Sequence, residues 1–199
     1  LSPGGVFAGQ QEAFVKKYPD SSDGLKKLNS ILTEMDRPEK IISPQFFLIQ
    51  FVKIHPEYVR RMVEEIIQNP DLPLAMYVGR ILIGLLEKYS SDVAVLAQKA
   101  IKTDNINLME SVADYYWVGA WVDYFIESVD IPNLKMLLES RDEFAKKLAI
   151  GALGRLGKPQ PEIAKNLLLG VDLGKSSHLA EEYCDQLDKQ HYFDPDLLT

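Results

Sequence analysis

The sequence predicts an all-α fold, a right-handed α-solenoid of about five degenerate helical pairs. Three observations predict it. Apolar residues recur at helical spacing through most of the chain, and prolines, glycines and cap-forming residues cut them into segments of one helix each. Small residues hold one register in four of those segments: Gly79, Ala113, Ala149 and Ala180, spaced by 34, 36 and 31 residues and preceded by Val78, Val112, Leu148 and Leu179. Each such segment follows a candidate partner helix, at Glu57 to Gln68, Asp92 to Lys102, Pro132 to Ser140 and Glu162 to Leu169. A near-constant period suits a repeat array, because each pair buries its apolar face only on its neighbours.

Residues 1–23 read as an irregular lead-in with one short helix from about Gly9 to Tyr18, ended by Pro19 and a turn at Asp20-Ser21-Ser22-Asp23. Residues 24–199 read as a single repeat domain. Leu25, Leu28, Ile31, Leu32 and Met35 make an amphipathic helix from Gly24 to Asp36. Ser43-Pro44 caps the apolar helix Gln45 to Ile54, which His55-Pro56 breaks. Glu57 to Gln68 turns Tyr58, Val59, Met62, Val63, Ile66 and Ile67 inward and Arg60, Arg61, Glu64 and Glu65 outward, and Asn69-Pro70-Asp71 leads into a helix from Pro73 to Tyr89. Asn105 to Asp130 is too long for one repeat helix and carries Gly119, so a break and an extra helix from about Ala120 to Ser128 are expected.

Ile131 to Gly157 carries the clearest pair. Leu134, Leu137 and Leu138 line its first helix, and Phe144, Ala145, Leu148, Ala149, Ala152, Leu153 and Leu156 form one stripe on its second. With its Ala-rich run ending in Ala152-Leu153-Gly154-Arg155-Leu156-Gly157, the segment resembles a HEAT repeat of the short bacterial type. The resemblance extends by register over about Pro56 to Gln190. It implies stacked pairs whose second helices line a concave surface, and hence a non-enzymatic protein-binding scaffold or adaptor.

The 199-residue chain is 46% hydrophobic and 26% charged, as soluble globular chains are, and no apolar run reaches membrane-spanning length. One cysteine, Cys184, excludes an internal disulfide and points to a reducing, cytoplasmic setting. The opening Leu1-Ser2-Pro3-Gly4-Gly5 and the tail Phe193 to Thr199 read as the cut ends of a longer chain. The net charge of −7 argues against nucleic acid or anionic lipid as partner. It is also uneven. Asp104 to Glu143 holds nine acidic and two basic residues, and Glu181 to Thr199 six and one. A basic protein partner is the kind this distribution favours. A small acidic inhibitor that neutralises a basic enzyme is the alternative.

No set of residues composes a catalytic, metal or cofactor site. Gly151, Gly154 and Gly157 lie within and at the end of a helix and lack the Gly-Lys-Ser/Thr ending, so they read as close-packing positions. His55, His178 and His191 are scattered, and Cys184 reads as part of a buried stripe. Neighbouring carboxylates such as Glu64-Glu65 and Glu181-Glu182 diverge by about 100° on a helix and cannot flank one bond. Trp117, Trp121 and Asp123 resemble the tryptophans and aspartate of HEAT-like DNA-alkylation-repair glycosylases, but they lie in the most acidic stretch of the chain. Tyr116, Trp117, Trp121 and Phe125 either fill a gap at the irregular repeat or serve as exposed anchors for a partner.

Helical geometry selects the candidate surface. Arg80 and Ile81, Asp114 and Tyr115, Ile150 and Gly151, and Glu181 and Glu182 follow the small-residue column, and Tyr77, Ser111, Lys147 and His178 precede it by two. From this set, with Asp185 one turn after Glu181, the candidate partner-binding residues are Tyr77, Arg80, Asp114, Tyr115, Glu181 and Asp185.

Overall fold

A computed structural model describes residues 11–34, 51–119, 130–156 and 160–191, and all their regular secondary structure is helical. The chain divides into two compact units, Leu1–Leu108 and Met109–Thr199.

The first unit contains α1 (11–17), α2 (Ser21–Glu34), a helical stretch α3 (51–54), α4 (Pro56–Gln68), a 3-10 turn (Pro73–Tyr77) and α5 (Val78–Ile101). Pro19 ends α1 as expected. The expected turn at 20–23 is instead the start of α2, with Asp20 Oδ1 accepting from Ser22 N at 2.8 Å. His55 separates α3 from α4 at φ −127° and ψ 58°, because the ring of Pro56 bars it from helical geometry. Pro73 opens a tight 3-10 turn rather than an α-helix, and α5 begins only at Val78. The two helices expected on either side of residue 90 meet at a kink within α5, where Tyr89 leaves helical geometry (φ −136°, ψ 44°).

Val59, Met62, Val63 and Ile66 recur along one side of α4 and are buried, as are Leu74, Ala75, Val78, Ile81, Leu82 and Leu85. Asn29 ties α2 to the 3-10 turn: its Nδ2 donates to Leu25 O at 3.0 Å and its Oδ1 accepts from Leu74 N at 3.1 Å. The lead-in helix belongs to this unit. Phe14 stands edge-on to the buried Phe51 at 5.7 Å, and the Tyr58 hydroxyl donates to the carbonyls of Tyr18 and Asp20 at 2.7 and 3.1 Å.

Gly24 makes that last arrangement possible, since a Cβ there would overlap the Tyr58 hydroxyl and approach Phe14 to 3.2 Å. Gly24→Ala gains about 1 kcal/mol of helix propensity but displaces a hydroxyl with two acceptors, so a net loss of roughly 1 kcal/mol is expected. In a Tyr58→Phe background the same change should cost less, since only the ring carbon of residue 58 at 3.0 Å and Phe14 at 3.2 Å must still give way. Urea melts of the four proteins check it, and equal effects in both backgrounds would remove Tyr58 as the cause. Burial first, then the charges of Asp20, Glu65 and Asp23, pushes the Tyr58 hydroxyl from 10.0 up to about 12. The folded state thus favours neutral Tyr58, and this contribution is lost as pH rises through that range.

The division between the units falls inside α6 (Ile106–Gly119), after Leu108. The second unit continues with α7 (Ile131–Leu138), α8 (Glu143–Leu156), α9 (Pro161–Leu168) and α10 (Ser177–His191). Polar caps set most of these starts. Asn105 Oδ1 accepts from Leu108 N at 3.2 Å, Asp142 Oδ1 from Ala145 N at 2.6 Å and Ser176 Oγ from Leu179 N at 3.3 Å. Gly174, at φ +57°, supplies the left-handed residue in the turn before α10. The extra helix expected from Ala120 to Ser128 lies outside the described residues.

In this unit α7, α9 and α10 all pack on α8. Glu143 meets Ser176, Gly151 meets Glu182 and Gly154 meets Gln186, so α8 and α10 run parallel. This central position corrects two expectations for α8. Ile150, expected to face outward, is buried, and Phe144, expected in the stripe, is 54% exposed. A helix with neighbours on several sides has no single apolar face.

Candidate partner-binding surface

Glu181 and Asp185 lie one turn apart on α10 and are both exposed, so the structure brings these two together on one face. His178 Nδ1 stands 3.8 Å from Glu181 Oε2 with both side chains about four-fifths exposed, a surface pair worth little. Cys184, expected in a buried stripe, is exposed between them. Its helix turns Leu179 and Gln186 inward instead.

Asp114 on α6 is half-buried. Tyr115 is fully buried, its ring 4.8 Å from that of Tyr116, and this corrects its selection as a surface residue. Consecutive residues are about 100° apart on a helix, so α6 must bury more than one side to enclose both tyrosines. Ser111, also expected outward, is buried for the same reason. Tyr77 and Arg80 are half-buried and belong to the first unit.

Two features of the second unit escaped sequence reasoning. The first is a buried polar cluster. The Tyr116 hydroxyl donates to Asp130 Oδ1 at 2.9 Å and accepts from Asn133 Nδ2 at 2.9 Å, with all three residues at most 1% exposed. It joins the C-terminal half of α6 to the start of α7.

The second is a row across three helices. A Cβ on Gly151 of α8 would lie 3.1 Å from Cδ1 and Nε1 of Trp117 on α6 and 3.3 Å from Oε1 of Glu182 on α10. Bare backbone therefore lets an indole edge and a carboxylate converge. One turn on, a Cβ at Gly154 would overlap the Gln186 amide, whose Nε2 donates to Glu182 Oε1 at 2.6 Å. Both glycines are close-approach positions, as their place inside a helix predicts. Gly157, Trp121 and Asp123 lie outside the described residues.

Glu110 and Asp142 form a further acidic pair. Burial, then the charge of Asp142, holds the Glu110 carboxyl above its usual range. Burial also raises the Tyr183 hydroxyl, with Cys184 adding to it.

On the first unit a cleft of about 130 Å³ is lined by Arg60, Glu64, Asp92, Val95, Leu96 and Lys99. Arg60 Nη1 reaches Glu64 Oε1 at 3.0 Å and its Nε reaches Glu57 Oε2 at 3.4 Å. The Tyr89 hydroxyl donates to Glu57 Oε1 at 2.7 Å, the main cause holding that carboxyl below its usual range. Acids and bases in the cleft balance, two of each, and Arg60 is already held by carboxylates.

Among the described residues no three His, Cys, Asp or Glu side chains stand together as a metal site, and no helix is long and apolar enough to cross a membrane. His55 Nε2 lies 3.5 Å from Glu12 Oε1 and is remote in sequence from His178. Comparisons with family models, with curated proteins and with solved structures give no match to the chain.

Proposed function

We propose that the chain is a non-enzymatic protein-binding module, a HEAT-like array whose acidic second unit engages a basic surface on its partner. The observation that carries this reading is where the charge lies. Residues 1–108 hold thirteen acidic and thirteen basic side chains, whereas residues 109–199 hold sixteen and nine and so account for the whole net charge of −7. Glu181 and Asp185 present part of it to solvent on one face of α10. A field of one sign speeds encounter with a basic partner and disfavours nucleic acid.

Contacts within each unit support the array. Val52 meets Gly84, Glu57 meets Tyr89, Met109 meets Ser140, Glu143 meets Ser176, Gly151 meets Glu182 and Gly154 meets Gln186, pairs 31 to 33 residues apart, while contacts of α2 with α4 and the 3-10 turn span 38 to 45. Stacked copies of a two-helix unit produce contacts at one recurring separation.

The test begins with capture of a partner from native lysate on the immobilised chain and continues with association kinetics at two ionic strengths. Reversal of Glu181 and Asp185 to Lys is expected to slow association roughly tenfold at low salt and to flatten its salt dependence. Thermal stability should stay near that of the parent, because both side chains are exposed. A rate indifferent to salt and to the double reversal would leave the acidic face as plain solvated surface. A tight one-to-one complex that silences a basic enzyme would identify the chain as an acidic inhibitor using the same face.

A further inference from the structure

We infer that the cleft on the first unit is one half of a two-fold contact between copies of this chain, in which the second half of α5 crosses its counterpart at Val95. The cleft, of about 130 Å³, opens between α4 and α5, and its apolar lining is Val95, 46% exposed, and Leu96, which is buried. Glu57 bonds Tyr89 and Asp92 acts by charge on Arg60, in both cases across 32 residues, so the two helices lie side by side in the same direction. Asp92, Val95, Leu96 and Lys99 recur at i, i+3, i+4 and i+7 and share the face of α5 that borders the cleft.

The charges along this face balance in number but are not mixed. At one end a single guanidinium, that of Arg60, serves Glu57, Glu64 and Asp92, which leaves an excess of negative charge. At the other end stand Lys99 and Lys102, both exposed, and Lys99 has no ion pair among the described residues. A strip that is acidic at one end, apolar in the middle and basic at the other is matched by a strip of reversed polarity. A second copy turned about a two-fold axis at Val95 supplies it: Lys99 of each copy meets Asp92 of the other, and the two valines enter the clefts between the helices. Lys102 comes level with Tyr89 and Glu57 of the other copy, where a further cation offsets the excess acid. One pair of crossing helices is a small interface, so the dimer is weak. It carries two acidic second units, and a partner with two basic sites meets both at once.

Sedimentation equilibrium of the full chain from about 10 μM to 1 mM tests the contact, and a dissociation constant on the order of 100 μM is expected. Asp92→Lys and Lys99→Asp each bring like charges together and should each weaken the dimer at least about tenfold. The double swap restores opposite charges across the axis and should return the affinity to within about threefold of the parent. Val95→Asp sets two carboxylates on the axis and should leave only monomer. All three side chains are exposed, so melting temperatures should stay near that of the parent. A chain that is monomeric throughout the range overturns the contact. A dimer that neither single change weakens places the association on another face, and single changes that the double swap does not rescue overturn the two-fold register. Reversal of Glu181 and Asp185 to Lys should leave the dimer intact; its loss there overturns the two-fold contact in favour of the acidic unit of one copy meeting the lysines of another.

Discussion

Tyr116→Phe is expected to destabilise the second unit by about 2 kcal/mol, although it removes a single oxygen atom. That oxygen donates to Asp130 Oδ1 and accepts from Asn133 Nδ2, each at 2.9 Å, inside a cluster closed to solvent. A buried acceptor that loses one donor gives up part of the compensation for its desolvation, and the loss is larger when the acceptor is a carboxylate. Phenylalanine fills the same ring volume, so a cavity contributes little and the loss reports on the hydrogen bonds. Asp130→Asn offers the complementary measurement. With a neutral amide in place of the carboxylate, removal of the Tyr116 hydroxyl should cost less, and the double-mutant cycle should show a coupling above about 0.5 kcal/mol. Urea midpoints read all four proteins. If Tyr116→Phe melts with the parent, the cluster contributes nothing to stability and its role in joining α6 to α7 falls.

Nothing in the sequence marks that cluster. Asp130 reads as one more acid in an acidic stretch, and its partner Tyr116 is 14 residues away, beyond the reach of cap and spacing patterns. Helix boundaries were far more legible, since prolines and short polar caps act within one turn. Pro56, Pro132 and Pro161 each stand in a first helical turn, and Asp142 caps α8. The reading of faces failed where a helix has more than one neighbour. A one-sided stripe predicts Ile150 and Tyr115 outward, yet both are buried because α6 and α8 bury more than one side. Cys184 failed in the opposite sense, since α10 is polar over most of its circumference and keeps it exposed. Of the candidate surface, Glu181 and Asp185 were legible from spacing and charge alone. The Trp117 row was not, because it needs the offset between α6, α8 and α10. Gly151 was its one local trace.

Ala149→Leu is expected to destabilise the second unit by about 1–3 kcal/mol, and Ala180→Leu by less than about 1 kcal/mol, although both residues hold the same place in the small-residue column. The difference follows from burial. Ala149 is fully buried on α8, where α7, α9 and α10 all make contact, so three added carbons must push a neighbouring helix aside or adopt a strained rotamer. Ala180 is half-buried near the start of α10, and a leucine there can lean into solvent. Both changes leave helix propensity nearly untouched, since leucine ranks close behind alanine, so any loss reports on packing. Close approach along the α8–α10 seam already depends on Gly151 and Gly154, which leaves little freedom to absorb the extra volume by sliding. Denaturant melts of the two variants decide the matter. Midpoints that overlay the parent in both would sever the column from helix packing and with it the register on which the repeat reading stands. Equal losses would mean that α10 packs more tightly around Ala180 than its exposure indicates.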